Sequence, residues 1–261
     1  MVDIFQKKVL MLALYAGEIM MRNGAEVYRV EDTMTRICKS CKIDSVEVFA
    51  TPTGIFISMD KGGKDDDPLT YIKRIKGIDT NLEKISMINR FSREFTTTDL
   101  SVEDGMKRLE EIDNAKPYPY FMRLIGAAMI AAFFCLIFGG SAVDFFSAFI
   151  TGMIAYMFSG FLQKYETNFF IRGFCSCALA TFIAMTISSS VDSASYEPII
   201  IGSIMIFVPG VAITNSIRDF LSGDMLSGVA RMTEAVLIAV SLAAGTGLIL
   251  NLWSVIGGLF V

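Results

Sequence analysis

The sequence of 261 residues contains no histidine and a single tryptophan. Without imidazole there is no Ser–His–Asp triad, no histidine-ligated metal and no imidazole general base. Positive charge is not concentrated either. The 23 Lys and Arg are outnumbered by 27 Asp and Glu, for a net charge of −4. No basic cluster stands out, which argues against a nucleic-acid binder. Five cysteines, three of them in apolar segments, do not make a disulfide scaffold. The start, MVDIFQKKVL, lacks a basic n-region followed by an apolar h-region and a small-residue cleavage site. No cleaved signal peptide is expected.

Charge itself is scarce over more than half of the chain. Residues 1–123 hold 19 of the 23 basic and 20 of the 27 acidic side chains, leaving 4 and 7 for the other 138 residues. Such a chain reads as two regions in two solvents. The expected fold is an α+β cytoplasmic domain over 1–116, followed by an all-α membrane domain over 117–261.

A bilayer core about 30 Å thick needs about 20 apolar residues of helix. Five stretches qualify, at about 121–139, 142–162, 169–189, 198–216 and 229–250. Loop chemistry separates them: Gly139–Gly140, Gln163–Asn168, the Ser/Asp-rich 188–197, and Arg218–Gly228. The short Gly139–Ala142 link could instead join a re-entrant pair. Trp253 is an expected interface anchor. Lys164, Arg172, Arg218 and Arg231 all fall on the side that carries residues 1–120. The two loops on the other side show only Asp144, Asp192 and Glu197. The excess of Lys and Arg puts the amino-terminal domain in the cytoplasm of a multi-pass plasma-membrane protein. Small and hydroxylated residues inside the helices read as helix–helix packing.

The fourth stretch, PIIIGSIMIFVPGVAITNSIRD, differs. Pro209 lacks the amide that would bond the carbonyl of Met205, and it pushes Val208 away from helical angles. With Gly210 next, the helix is expected to kink or break at membrane depth. Freed backbone groups there are tolerated only under protein cover or in a wet cavity. The start of a half-helix also suits a carboxylate. A plain proline kink without a ligand is the competing account. Thr214, Asn215, Arg218 and Asp219 follow on one side of a helix. Asp224, Arg231 and Glu234 come next. Ionisable groups near membrane depth point to function. Either they form a polar pathway for a small charged solute, or they form an interfacial ion-pair set with Arg218 and Arg231 as topology anchors. A membrane hydrolase fits poorly, because Asp219 and Asp224 lie about 140° apart around a helix.

In the polar half, Ile4, Phe5, Val9, Leu12, Ala13 and Ala16 follow a helical period. Asn23–Gly24 is a stop signal, and a second helix runs from Ala25 to about Ser40. Glu18, Arg22 and Glu26 make an i, i+4 ladder, with Arg29 three residues on. Val46–Thr51 and Gly54–Met59 flank a turn and predict a hairpin, with Leu69–Ile75 as a third strand. The acidic 60–68 is a solvated tip, since it lacks EF-hand spacing for calcium. Thr80 with Glu83 and Ser101 with Asp104 resemble capping boxes for two helices. Leu82, Ile85, Phe91 and Phe95 would line one face, and Val102, Met106, Leu109 and Ile112 the next. Lys116–Tyr120 links to the membrane. Cys38-Lys-Ser-Cys41 lacks two further zinc ligands and a thioredoxin context. No metal and no cofactor are expected.

Two stretches, GEIMMRNGAEVYRVEDTM with TPTGIFIS (17–34, 51–58) and PGVAITNSIRDFLSGDMLSGVARMTEA (209–235), resemble the signatures of the threonine/serine exporter family. The resemblance covers most of the chain. It implies export of small metabolites driven by the proton motive force: threonine and serine, or dicarboxylates such as succinate. Fused members carry a second, shorter membrane module. This chain resembles the larger subunit of a split exporter, which implies a small membrane partner of the same family; self-association is an open alternative. Gly24, Ala25, Glu26, Tyr28, Arg29, Glu31 and Asp32 match the cytoplasmic motif. Pro209, Gly210, Asn215, Arg218, Asp219, Gly223, Asp224, Gly228, Arg231 and Glu234 match the membrane motif. Of these, Pro209, Gly210, Asn215, Arg218, Asp219, Arg231 and Glu234, together with Thr214, are expected to handle substrate and translocation, with Asp219 or Glu234 coupling the proton. Glu26, Arg29, Glu31 and Asp32 would shape a gate or regulatory pocket. A non-enzymatic transporter is the leading expectation. A membrane sensor or scaffold with a cytoplasmic ligand-binding domain is the alternative.

Overall fold

A computed structural model describes residues 4–60, 68–77 and 79–259. It is mostly helical and forms two compact units. The first comprises Met1–Lys116 and Val211–Thr233, the second Pro117–Gly210 and Glu234–Val261.

The first unit opens with α1 (Ile4–Arg22) and α2 (Val27–Ser40). Between them Gly24 sits at φ +85°, and a Cβ there would come within 3.1 Å of the Asp79 carbonyl oxygen. Glycine is what that corner accepts. On α2, Val27, Val30, Met34 and Ile37 are buried at helical spacing. Three antiparallel strands follow in the order β1-β2-β3: Val46–Thr51, Gly54–Met59 and Leu69–Arg74. Thr51 pairs with Gly54 across the tight turn. In the central strand Ile55, Ile57 and Met59 are buried, while Phe49, Phe56 and Ile72 form an exposed row across the other face. The acidic tip predicted at 60–68 lies, apart from Asp60 and Pro68, outside the described residues.

The core continues on α3 (Leu82–Thr97) and α4 (Val102–Asp113). Ile85, Ile88, Phe91 and Phe95 face inward on α3, as do Val102, Leu109 and Ile112 on α4. Each such side chain contributes about 1.5–3 kcal/mol by leaving water. Ser101 caps α4 by accepting the Asp104 N–H at 3.1 Å. The α3 cap falls one residue later than expected. Asn81, not Thr80, accepts the Lys84 N–H at 3.1 Å. Helix therefore begins at Leu82, which is exposed and off the buried face.

In the second unit α5 (Tyr120–Ile137), α6 (Ala142–Gln163), α7 (Phe169–Ser190) and α8 (Tyr196–Ile204) pack through small residues. A Cβ on Gly152 would lie 2.4 Å from the Ala131 Cβ, and one on Gly202 would lie 2.3 Å from the Ala131 carbonyl oxygen. Such close backbones suit helices in lipid. Phe133, Ile137, Phe146, Phe161 and Phe182 are exposed. Ser141 and Asp144 form a reciprocal capping box at the start of α6. Asp144 also accepts the Ser195 N–H at 2.7 Å, so this acid is buried and bonded rather than a bare loop charge.

The α5, α6 and α7 helices and Met225–Val255 of α10 (Met225–Leu259) are long and apolar enough to cross a membrane. A fifth span is made if Tyr196–Phe207 and Gly210–Leu221 count as one, bent by 57°. The bend falls at the proline. Helix α8 ends at Ile204, a 3-10 turn covers Met205–Phe207, Val208 is extended, and α9 (Gly210–Leu221) starts after Pro209. The stretch 198–216 is thus two helices, not one bowed rod. The last helix begins four residues earlier and ends nine later than the predicted 229–250.

The chain does not divide in sequence order. Val211–Thr233 clusters with the first unit, although 117–261 was expected to form one domain. Its polar groups are engaged there.

Candidate functional site

The site grows from the corner between α1 and α2. Turning the chain at Gly24 leaves the carbonyls of Gly24 and Ala25 outside either helix. It also leaves the Val27 N–H, a first-turn donor with no partner in its own helix. Glu26 holds the N-cap position, yet its side chain does not cap.

All three backbone groups are met from α9 and the start of α10. Asn215 Nδ2 donates to the Gly24 carbonyl at 2.8 Å. Arg231 Nη2 donates to the Ala25 carbonyl at 2.6 Å. Asp219 Oδ1 accepts the Val27 N–H at 3.2 Å. A carboxylate at that helix start also complements the α2 dipole. Ser216, fully buried beside Asn215, donates to the Gly228 carbonyl at 2.8 Å and ties α9 to α10.

Three ion pairs complete the cluster. Asp219 has no accessible surface, and the Arg231 side chain is 7% exposed. Their Oδ2 and Nε lie 3.1 Å apart, at an angle too poor for a hydrogen bond, so charge holds them together. Glu26 is buried and shared by two arginines. Its Oε2 accepts Arg29 Nη1 at 2.8 Å, and its Oε1 accepts Arg218 Nη1. Burial pushes the Glu26 carboxyl up, but the bonds and charges of Arg29 and Arg218 outweigh it. They hold it below the usual carboxylate range. Glu31 is half-buried and accepts the Ala50 N–H at 2.7 Å, protecting the free edge of β1. Burial pushes its carboxyl up. The Ala50 bond opposes that, while Asp224 and Asp219 add to it, leaving it raised.

A pocket of about 210 Å³ opens beside the corner, lined by Gly24, Ala25, Glu26, Arg29, Leu82, Ile85, Ser86, Asn89 and Asn215.

The structure thus brings together Asn215, Arg218, Asp219 and Arg231 with Glu26 and Arg29, and Glu31 lies nearby. Asp32 stands apart, exposed and paired with Arg36. Thr214 is exposed on α9. Pro209 and Gly210 form the helix break in the second unit. Glu234 is exposed at the first position of that unit's last segment. The ladder Glu18–Arg22–Glu26 does not form. Helix α1 ends at Arg22, so Glu26 leaves its line. Glu18 pairs with Lys73 at 2.9 Å and Arg22 with Asp113 at 3.7 Å. Sequence reasoning missed Ser86, Asn89 and Ser216. It also missed the backbone of Gly24, Ala25 and Val27 as partners. The Asn23–Gly24 turn signal and the cytoplasmic motif marked that corner.

Cys38 is fully buried, and burial pushes its thiol up to about 12. That makes it a poor nucleophile. Among the described residues no three His, Cys, Asp or Glu come together in a group able to hold a metal ion.

Comparison with known proteins places a family model described as "Putative threonine/serine exporter" over residues 11–253. A "Probable threonine/serine exporter" of Mycobacterium tuberculosis is 22% identical over 93% of this chain and 46% of its own length. A "Threonine/serine exporter" of Corynebacterium glutamicum is 24% identical over 92% of this chain and 50% of its own. The chain spans about half of those two proteins. A "Probable succinate transporter subunit YjjP" of Klebsiella aerogenes is 23% identical over 97% of this chain and 96% of its own. No solved structure matches the chain.

Proposed function

Because the chain belongs to the threonine/serine exporter family, we propose that it is the membrane subunit of a secondary exporter for small carboxylate-bearing metabolites. Threonine and serine, or a dicarboxylate such as succinate, are the solutes named for its relatives. It acts as a transporter and not as an enzyme. The proton motive force drives it, and a small membrane partner completes it. The word "subunit" in the name of a relative of nearly equal length supports the partner. The Lys and Arg bias supports a cytoplasmic amino-terminal unit.

One observation carries the reading. A membrane-length apolar pair is broken by 57° at Pro209, and a fully buried carboxylate, Asp219, follows ten residues on. Broken helices with ionisable groups are how many transporters build a solute path. In a chain without histidine, carboxylates are the groups suited to carry the coupling proton. Protonating Asp219 would remove the charge that holds Arg231 and free that arginine to move. Glu234, less than a turn beyond Arg231 on α10, is the second candidate carrier.

The test is efflux from cells preloaded with labelled threonine or labelled succinate. Each load is run with this chain alone and with a short partner protein of the family. Efflux of at least one label is expected only with the partner. Asp219→Asn and Glu234→Gln should each lower it while the protein stays inserted. Full efflux in both variants would sink the coupling assignment, and no efflux of either label would count against these solutes.

A second reading, a membrane sensor or scaffold, is favoured by the pocket at the α1–α2 corner. Ligand-dependent protection of a cysteine placed near Arg29, with none near Pro209, would support it.

A further inference from the structure

We propose that the pocket at the α1–α2 corner binds the carboxylate end of a small metabolite, with Arg29, Asn89 and Ser86 as the recognising side chains. The choice of probes rests on the transport reading; the site itself is argued from its own donors.

The pocket is rich in hydrogen-bonding groups with nothing to bond. Arg29 carries five N–H donors in a planar fork, and the one bond it makes goes to Glu26. Its side chain is 35% exposed, so the remaining donors are accessible. Ser86 and Asn89, three residues apart on α3, both line the pocket. Among the described residues neither side chain makes a hydrogen bond to the protein. Asn215 engages its amide nitrogen with Gly24, leaving its carbonyl oxygen for a ligand hydroxyl or ammonium.

The charge is also incomplete. Glu26 supplies one negative charge to two guanidiniums, Arg29 and Arg218. Arg29 therefore shares its counter-charge, while Asp219 is matched by Arg231 and the carboxylates of Glu31 and Asp224 lie further off. A guanidinium fork with donors to spare selects a carboxylate, which Arg29 can hold with two parallel bonds.

Size narrows the class. The cavity volume is about 210 Å³. It falls below the roughly 300 Å³ where sites for drug-sized ligands begin. That size suits an acid of about four carbons. Ala25 and Ile85 offer an apolar wall for its short chain.

The site is built into the grip on α9. Glu26 and Asn215 line the pocket and at the same time hold Arg218 and the Gly24 carbonyl. A bound carboxylate would draw on Arg29 and shift the share of Glu26 toward Arg218. Occupancy of the corner is thereby reported to the segment that carries Asp219.

The experiment uses the purified full chain in detergent micelles, in buffer free of other carboxylates. Serine, threonine and succinate are titrated by calorimetry, with threonine amide as the probe lacking a carboxylate. At least one acid should bind saturably, and the amide should not. Arg29→Gln should weaken binding at least tenfold. Asn89→Leu, on the pocket-facing side of α3 and away from the ion pairs, should weaken it several-fold in a protein that melts like the parent. No saturable binding of any of the three acids would overturn the site, as would equal binding by both variants or by the amide. Calorimetry needs no transport. Binding without efflux counts against these solutes as cargo and leaves this site standing, and efflux without binding defeats this site alone.

Discussion

Asp219→Asn removes one charge from a pair with almost no access to water. Removing one partner of a buried ion pair typically destabilises by about 3–5 kcal/mol, because the other charge is left unmatched. Two details place this case at the low end. Asparagine keeps an oxygen for the Val27 N–H, and Arg231 keeps its bond to the Ala25 carbonyl. We expect about 3 kcal/mol. For a unit of this size each kcal/mol moves the melting temperature by about 3 °C, so the drop should be about 10 °C. The Cys38 thiol is a suitable probe, because it has no accessible surface in the core of the same unit. With the other four cysteines replaced, its labelling on a temperature ramp reports opening of the unit. Adding Arg231→Met to Asp219→Asn should recover about 2 kcal/mol relative to the sum of the single changes. A melting temperature within about 2 °C of the parent for Asp219→Asn would refute the buried pair.

Two further outcomes follow from the same structure. Glu31 has a folded-state pKa raised above its ordinary 4.5. Its contribution to stability is therefore full below 4.5 and is lost as pH rises through the raised value. Relative to the parent, Glu31→Gln should gain stability as pH goes from about 4 to about 7; a difference that is flat with pH would contradict the burial of Glu31. In the second unit, Gly202→Ala would bring a Cβ within 2.3 Å of the Ala131 carbonyl oxygen, and Gly245→Ala within 2.2 Å of that of Phe174. Each should cost about 1–3 kcal/mol in detergent unfolding, whereas Gly247→Ala, which meets nothing within 4 Å, should be neutral.

Local features were legible in the sequence. The strands at 46–51, 54–59 and 69–74 were visible because turn residues bound short alternating runs. The break at Pro209 was visible because proline lacks a donor whatever surrounds it. The spans were visible because lipid imposes length. Tertiary pairing was hidden. Asn215, Asp219 and Arg231 carry no mark saying that their partners sit at residues 24–27. Their placement next to an apolar stretch points to a polar pathway and says nothing of the backbone groups they hold. The Glu18–Arg22–Glu26 spacing was a true helical period, undone by the Gly24 corner. The pocket was hidden for the same reason, since Ser86 and Asn89 look like ordinary surface residues of α3.

Two of the links between the α1–α2 corner and α9–α10 end on carbonyl oxygens and a third on an amide N–H. Those groups belong to the backbone and not to the side chains at positions 25 and 27. Short of proline at position 27, which lacks the N–H, mutation there does not remove them, and no exchange of side chains there can compensate for losing Asn215, Asp219 or Arg231. The two motifs should therefore drift independently over evolutionary time, each under its own restraint, although they touch. Correlated substitution between the motifs should be confined to the side-chain pair that joins them, Glu26 with Arg218.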